Sequence, residues 1–373
     1  MGILFLGIGV LLIPIAIYFY FLIKNILTLF GCDTAKRSVR ILALAIAILV
    51  ALPGLNLNGF GTVFVIYFLV SSLFLKNINI TIKFIGRRSN HKALRVWNLI
   101  HTVQAIPILF TVVMIIFGYQ NIHNVVKTEY TVYTDKQFDD GGYRVALVAD
   151  VHYGITLDYQ ELLSKCEEIS NTNPDVLILG GDIVDDNATF EEMREAFAAL
   201  SSVKTKYGIF YVYGNHDRQL YSTSPAYTEA ELEDTISGFG IKVLRDDIAY
   251  IGDDFVILGR EDRGYRKAER ENITDLLAEI DDDTFVLTVD HQPNEYADNL
   301  AAGTDLILSG HTHAGQLWPF NYFMDIIKFN DANYGLYDYG KMTAIVTSGF
   351  AGWGFKVKTA APAEYVIVDI VNN

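Results

Sequence analysis

Cysteine is almost absent from this chain of 373 residues: only Cys32 and Cys166 occur. Two thiols so far apart exclude a disulfide framework and any multi-thiol metal site. Proline is also sparse, eight in all, and no internal repeat or low-complexity tract is present, which excludes collagen-like, solenoid and proline-rich linker architectures. The most telling scarcity is local. Residues 1–126 contain a single acid, Asp33, against ten Lys and Arg, whereas the remainder holds 43 acids against 19 bases. A basic, apolar first third joined to an acidic remainder reads as a membrane part joined to a water-facing domain. An acidic domain also excludes a nucleic-acid binder, whose affinity rests on Lys and Arg neutralising phosphates.

Four apolar stretches reach the length needed to cross a bilayer core, which is about 20 residues per helix. They run near 3–23, 40–57, 59–75 and 97–118, within a transmembrane region spanning 1–126. The four helices carry no internal acid or base, which argues against a transporter or proton relay. The first loop carries Lys24, Lys36, Arg37 and Arg40, and the third carries Lys76, Lys83, Arg87, Arg88, Lys92 and Arg95; the second carries none. Basic loops stay in the cytoplasm, so the expectation is a multi-pass protein of the cell membrane with its acidic domain outside the cytoplasm. Asn98, His101 and Gln104 at the start of the fourth helix fit an interfacial helix end, with a polar contact between helices or with a lipid headgroup as the alternative.

Residues 127–142 read as a polar connector, and 143–373 as one α/β domain. Short runs rich in Val, Ile, Leu and Phe at 144–149, 176–180, 209–213, 255–259, 285–289, 305–309, 343–347 and 364–370 fit buried strands. Helical stretches near 159–171, 189–202, 228–238 and 265–280 alternate with several of them.

Five short motifs close five of these runs: Asp150-Val151-His152, Gly181-Asp182, Gly214-Asn215-His216-Asp217, a lone His291, and Gly310-His311-Thr312-His313. They hold five of the eight histidines. Ligand groups in α/β sheets gather beyond the carboxyl ends of strands, so one sheet edge collects carboxylate, imidazole and amide side chains. That donor set, without sulfur, suits Mn²⁺, Fe or Zn²⁺, with Mn favoured. Two such ions held side by side suit phosphate ester hydrolysis.

The ordered set DxH, GD, GNHD, lone H and GHxH resembles the calcineurin-like metallophosphoesterase superfamily over roughly 143–370. The run from Gly310 to Gln316 behind membrane helices is similar to its membrane-attached bacterial branch, in which Gly more often stands where this chain has Ala314. The resemblance implies a four-layer α/β/β/α sandwich. It implies that Asp150, His152 and His313 hold one divalent metal, that Asn215, His291 and His311 hold a second, and that Asp182 bridges the two. It implies that His216 sits over the phosphate as a catalytic group with Asp217 as its orienting partner.

Arg260 and Arg263 follow the fourth run and are candidate phosphate-binding residues, because arginine forks suit phosphate; ordinary pairing with Glu261 and Asp262 is the alternative. The aromatic stretch 317–337 leaves open a substrate cap, a dip into the membrane interface, or a core segment. The expected activity is hydrolysis of a phosphodiester, pyrophosphate or phosphomonoester on a lipid or cell-envelope molecule, with the bilayer as the other partner and no protein partner expected. A nucleotide or cyclic-nucleotide phosphodiesterase and a non-catalytic metal-binding receptor are the rival readings.

Overall fold

The computed structural model describes residues 2–56, 59–85, 91–138, 141–266 and 270–373. Leu57 at the end of the second expected span, the loop residues Arg87 and Arg88, the connector residues Asp139 and Asp140, and residues 267–269 of the expected helix 265–280 lie outside the described residues. The chain divides into two compact units. One is Met1–Tyr119 with Gly354–Val357; the other is Gln120–Trp353 with Lys358–Asn373.

The first unit is helical: α1 (Gly2–Leu29), α2 (Arg37–Ala51) closed by a 3-10 turn over Leu52–Leu55, α3 (Phe60–Ile85), α4 (His91–Thr102) and the greater part of α5 (Ala105–His123). Among the described residues, four stretches are long and apolar enough to cross a membrane: Leu12–Leu29, Arg37–Leu55, Phe60–Ile85 and Ala105–His123. The helix expected over 97–118 is two helices, because the chain breaks at Val103 and Gln104. Pro107 has no N–H to donate to the Val103 carbonyl four residues back, and its ring crowds that carbonyl. Gln104 adopts a left-handed conformation (φ 57°). Its buried amide accepts from Ser72 Oγ and donates to His101 O at 2.6 Å. An amide in apolar surroundings needs such partners.

The second unit contains two six-stranded sheets. The first has the order β1 (Val126–Thr134), β12 (Glu364–Asn372), β2 (Tyr143–Val148), β3 (Val176–Leu179), β4 (Gly208–Tyr211), β5 (Lys242–Val243). The second has the order β10 (Gly335–Asp338), β11 (Thr343–Val346), β9 (Leu306–Ser309), β8 (Phe285–Val289), β7 (Phe255–Gly259), β6 (Asp247–Tyr250). Side chains alternate between the faces of a strand, and β2 shows what that achieves. Val145 and Leu147 point inward to meet Phe255, Ile257, Leu287 and Leu308 of the other sheet. Ala146 and Val148 point outward, to a core shared with α6 (Tyr159–Ser170), α7 (Phe190–Leu200) and α8 (Glu229–Gly238). The outer face of the second sheet is covered in part by α10 (Ile273–Leu276) and by α11 (Tyr296–Ala302). The layers are therefore α/β/β/α.

Each of α6, α7 and α8 opens on a reciprocal capping box, Asp158 with Glu161, Thr189 with Glu192 and Thr228 with Glu231. These satisfy backbone N–H groups that a helix start leaves free. The helix expected over 265–280 is replaced by two short ones, α9 (Arg263–Arg266) and α10. Asn272 Oδ1 accepts from Thr274 N at 2.8 Å and starts α10 afresh. The stretch expected as a connector, 127–142, supplies most of β1, which pairs in parallel with β12 over nine positions.

Candidate metal centre

Every candidate ligand follows the carboxyl end of a parallel strand. Asp150 and His152 follow β2, Asp182 follows β3, Asn215 follows β4, His291 follows β8, and His311 and His313 follow β9. The backbone itself is bent to aim them. Asp150, His152, Asp182, His311 and His313 all have positive φ, between 42° and 70°. Such conformations cost of order 1–3 kcal/mol each in residues other than glycine and cluster at functional sites. Two glycines allow the close approach. A Cβ on Gly214 would stand 2.2 Å from Asp182 Oδ1, and one on Gly310 would stand 2.4 Å from Asp150 Oδ2.

The ligands fall into two groups. Asp150, His152 and His313 offer atoms within 4.8 Å of one another, and so do Asp182, His291 and His311. In the first group His313 Nε2 lies 3.4 Å from Asp150 Oδ1 and 3.2 Å from His152 Nε2. Asp182 reaches both groups: its Oδ2 is 3.0 Å from His291 Nε2 and 3.8 Å from His152 Nε2. Its other oxygen accepts the His216 N–H at 2.8 Å, which fixes the carboxylate plane.

The donor set fits divalent cations. His291 Nδ1 donates to Gly180 O at 2.8 Å, which leaves the Nε2 lone pair facing Asp182. The Asn215 Oδ1 atom is buried without a hydrogen-bond partner. Buried polar atoms are nearly always paired, so an orphaned amide oxygen in the loop that follows β4 is one that a cation would satisfy. Electrostatics favour the ligand form of two imidazoles. Burial, reinforced by His152, holds His313 well below the usual histidine range, and burial with His291 pushes His311 down to about 4. Burial opposes charge on His291 as well, but Asp182 and Asp150 outweigh it and hold its pKa well above the ordinary value. A metal would displace that proton.

His216 stands beside this pair of groups without joining either. Its ring packs edge-on to His152 at 5.2 Å between centroids and lies 5.5 Å from the ring of Trp353. Its Nδ1 pairs with the Asp186 carboxylate. Burial would lower the His216 pKa, but Asp186 and Asp182 raise it above the ordinary histidine value.

Asp217 is therefore not the orienting partner of His216, and that expectation is corrected. Its carboxylate turns the other way and accepts four backbone N–H groups: Asp182 at 2.8 Å, Ile183 at 2.8 Å, Val184 at 3.2 Å and Gly214 at 2.7 Å. It ties the β3 exit loop to the β4 exit loop. The signal for the true partner was present in the acids that follow Gly181-Asp182, namely Asp185 and Asp186. Asp185 lies 3.5 Å from His152 Nδ1, placed to orient that ligand.

Arg260 and Arg263 turn to acids of their own domain. Arg260 is buried, with Nη1 3.2 Å from Asp246 and Nη2 donating to Glu271 O at 2.9 Å. Arg263 Nε lies 3.2 Å from Glu295. Sequence reading also passed over Lys358. It is fully buried, and its Nζ donates to the carbonyls of Ser348, of Gly349 at 2.9 Å and of Ala351 at 3.0 Å. That loop backs the first group, because Ala351 N donates to Asp150 O at 3.0 Å.

Residues 143–315 match the model of the calcineurin-like phosphoesterase family. An uncharacterized metallophosphoesterase of Helicobacter pylori is 28% identical over 240 residues, covering 63% of this chain and 61% of the relative. One from Campylobacter jejuni is 26% identical over 261 residues, covering 68% and 66%. A transmembrane protein with metallophosphoesterase domain from Danio rerio is 29% identical over 238 residues, covering 60% and 52%. The chain thus spans between half and two thirds of the length of these relatives.

Proposed function

We propose that the calcineurin-like domain of this chain is a dinuclear metal-dependent phosphoesterase acting on a phosphorylated lipid or cell-envelope molecule. The observation that carries this reading is the pair of ligand groups sharing the Asp182 carboxylate, with His216 beside them. Two divalent ions held there, Mn²⁺ favoured, would supply Lewis-acid polarisation of a phosphoryl oxygen and an acidified water. The chain's own residues supply the rest. Asp182 sets the spacing between the groups, and Gly214 and Gly310 let the backbone approach. Asp186 accepts from His216 Nδ1 and with Asp182 favours the charged imidazolium, whose Nε2 proton would pass to the leaving oxygen and leave a neutral ring; such transfer contributes about 10²–10⁴-fold. Trp353 walls the site on the side of His216.

The four apolar helices support a multi-pass membrane protein. The bases Lys24, Lys36, Arg37 and Arg40 in one loop and Lys76, Lys83, Lys92 and Arg95 around another support a cytoplasmic place for those loops. With four spans, the same charges support a catalytic domain outside the cytoplasm. An enzyme tethered to a bilayer meets membrane substrates at high effective concentration, which supports the lipid or envelope class.

The test uses the purified full chain in detergent. Hydrolysis of bis-p-nitrophenyl phosphate and p-nitrophenyl phosphate is followed with Mn²⁺, with chelator, and in Asp182→Ala. Metal-dependent turnover that Asp182→Ala abolishes supports the reading, and the diester-to-monoester ratio narrows the bond. Metal binding without turnover on either ester, or on cyclic nucleotides and dispersed phospholipid, points to the receptor alternative.

A further inference from the structure

The second unit carries a run of exposed apolar side chains along one short helix and its two ends. Seven positions beyond the ligand His313 begins α12 (Phe320–Ile327), none of whose residues is buried. On and beside it Trp318, Tyr322, Phe323, Ile326, Ile327 and Phe329 are exposed, Phe323 at 58% and Ile326 at 75%. Single exposed apolar side chains are ordinary, but six of them within twelve residues of chain mark a partner surface.

This helix begins where a membrane-length helix ends. The last turn of α5, from Gln120 to His123, belongs to the second unit. Within it Asn121 Nδ2 donates to Lys358 O at 2.9 Å and to Ala361 O at 2.7 Å. The residues between those two hold the entry to α12. Thr359 Oγ1 accepts the Trp318 N–H at 2.9 Å, and the N–H groups of Thr359 and Ala360 go to Gln316 O at 2.8 and 3.1 Å. Four residues, 358–361, thus grip the end of a span on one side and the start of α12 on the other. Gln316 reaches further: its Oε1 accepts the Trp353 N–H at 2.9 Å, and the Trp353 ring lies against His216. The end of the span, the exposed helix and the rim of the metal centre are joined through a handful of hydrogen bonds.

We infer that α12 lies in the headgroup–acyl boundary of the bilayer that its own chain enters through α5, and that a phosphorylated lipid passes along it to the metal centre. The placement of the helix stands on the contacts above; the delivery of substrate rests on the phosphoesterase reading. The side-chain chemistry fits. Trp and Tyr prefer the level of the headgroups, and an interfacial helix sinks its apolar face about 5–10 Å into the boundary. Asn321 and Asp325 on the helix, and Lys328 just past its end, supply polar positions. A second protein could also cover such a face, but the attachment to α5 keeps α12 beside the point where the chain leaves the membrane.

The test is a depth measurement on the full chain in phosphatidylcholine liposomes, so it needs no turnover. Cys32→Ser removes the more accessible thiol; Cys166 is fully buried, and burial pushes its thiol up to about 12, which keeps it unreactive. Bimane is then placed by Phe323→Cys or Ile326→Cys, and by Tyr250→Cys, a 66% exposed position on β6, as reference. The expected result is strong quenching of the labels at 323 and 326 by lipid carrying a nitroxide at carbon 5, weaker quenching by carbon 12, and little by aqueous iodide. The label at 250 should show the reverse. Iodide quenching at 323 and 326 equal to that at 250 overturns the inference. Protection from both quenchers also overturns it, because a protein surface, such as a second copy, then covers the helix. Hydrolysis of p-nitrophenyl esters by the same labelled proteins reports the metal centre separately, so failure of the helix placement and failure of the phosphoesterase reading are told apart.

Discussion

The carboxylate of Asp186 holds both His216 and the loop that follows it: one oxygen meets His216 Nδ1, and the other accepts the Tyr221 N–H at 3.0 Å. The acid that orients this imidazole thus comes from the β3 exit, thirty residues before it. Neighbouring Asp217 is spent on backbone N–H groups.

Asp186→Asn should therefore lower kcat by about 10–100-fold, in the range found when a carboxylate behind a functional histidine is lost, with KM little changed. Because Asp186 raises the His216 pKa, its removal should move the limb of the pH–rate profile governed by His216 to lower pH. A merely structural loss would scale the whole profile without moving it. Steady-state kinetics across pH with an activated phosphodiester decides between them.

Asp217→Ala should behave differently. It strips four buried N–H groups of their acceptor, and unsatisfied buried donors cost about 1–3 kcal/mol each before relaxation. The expected loss is about 3 kcal/mol or more of domain stability, read as a lowered melting temperature in metal-free buffer. An unchanged melt would mean that those loops find other acceptors.

Metal should stabilise the fold as well as serve catalysis. A ligand that binds only the native state at about 100 times its Kd adds about 2.7 kcal/mol. Mn²⁺ should raise the melting temperature, chelator should reverse the rise, and Asp182→Ala should abolish it. A shift of full size in Asp182→Ala would remove Asp182 from the ligand set.

Ala314 sits at φ 52°, ψ 32°, a left-handed conformation that a side chain resists. This costs roughly 1–2 kcal/mol relative to glycine, while glycine adds unfolded-state entropy of about 0.4–1 kcal/mol. Ala314→Gly should raise stability by up to about 1 kcal/mol without loss of activity, and Ala314→Val should lower it. Thermal melts of the two variants check the sign.

Much of this could be read before the structure. Strands such as β3 (VLIL) and β8 (FVLTV) are buried on both faces and appear as unbroken apolar runs. The ligands could be read because each must stand just past such a run. The four strands that escaped, β1, β5, β6 and β10, are the four edges of the two sheets. An edge strand keeps polar side chains on its open side and is short or mixed in composition, so its pattern is faint. The break at Gln104 was hidden because an apolar run tolerates one amide when Ser72, thirty-two residues earlier, supplies its partner. The same holds for Asp186 and Lys358, whose roles depend on which distant backbone or imidazole they meet.

The position of β12 has a consequence for the order in which the molecule can be made. It lies between β1 and β2, yet Val126 of β1 pairs with Glu364, a residue synthesised 238 positions later. Until β12 is translated, β1 has no sheet neighbour and the β2 edge that precedes Asp150 is open along one side, with backbone groups exposed to any passing strand. Closure of the first sheet is thus a late, long-range event, slow by its topology. Before that event a membrane-length helix already precedes a sheet that is only half built.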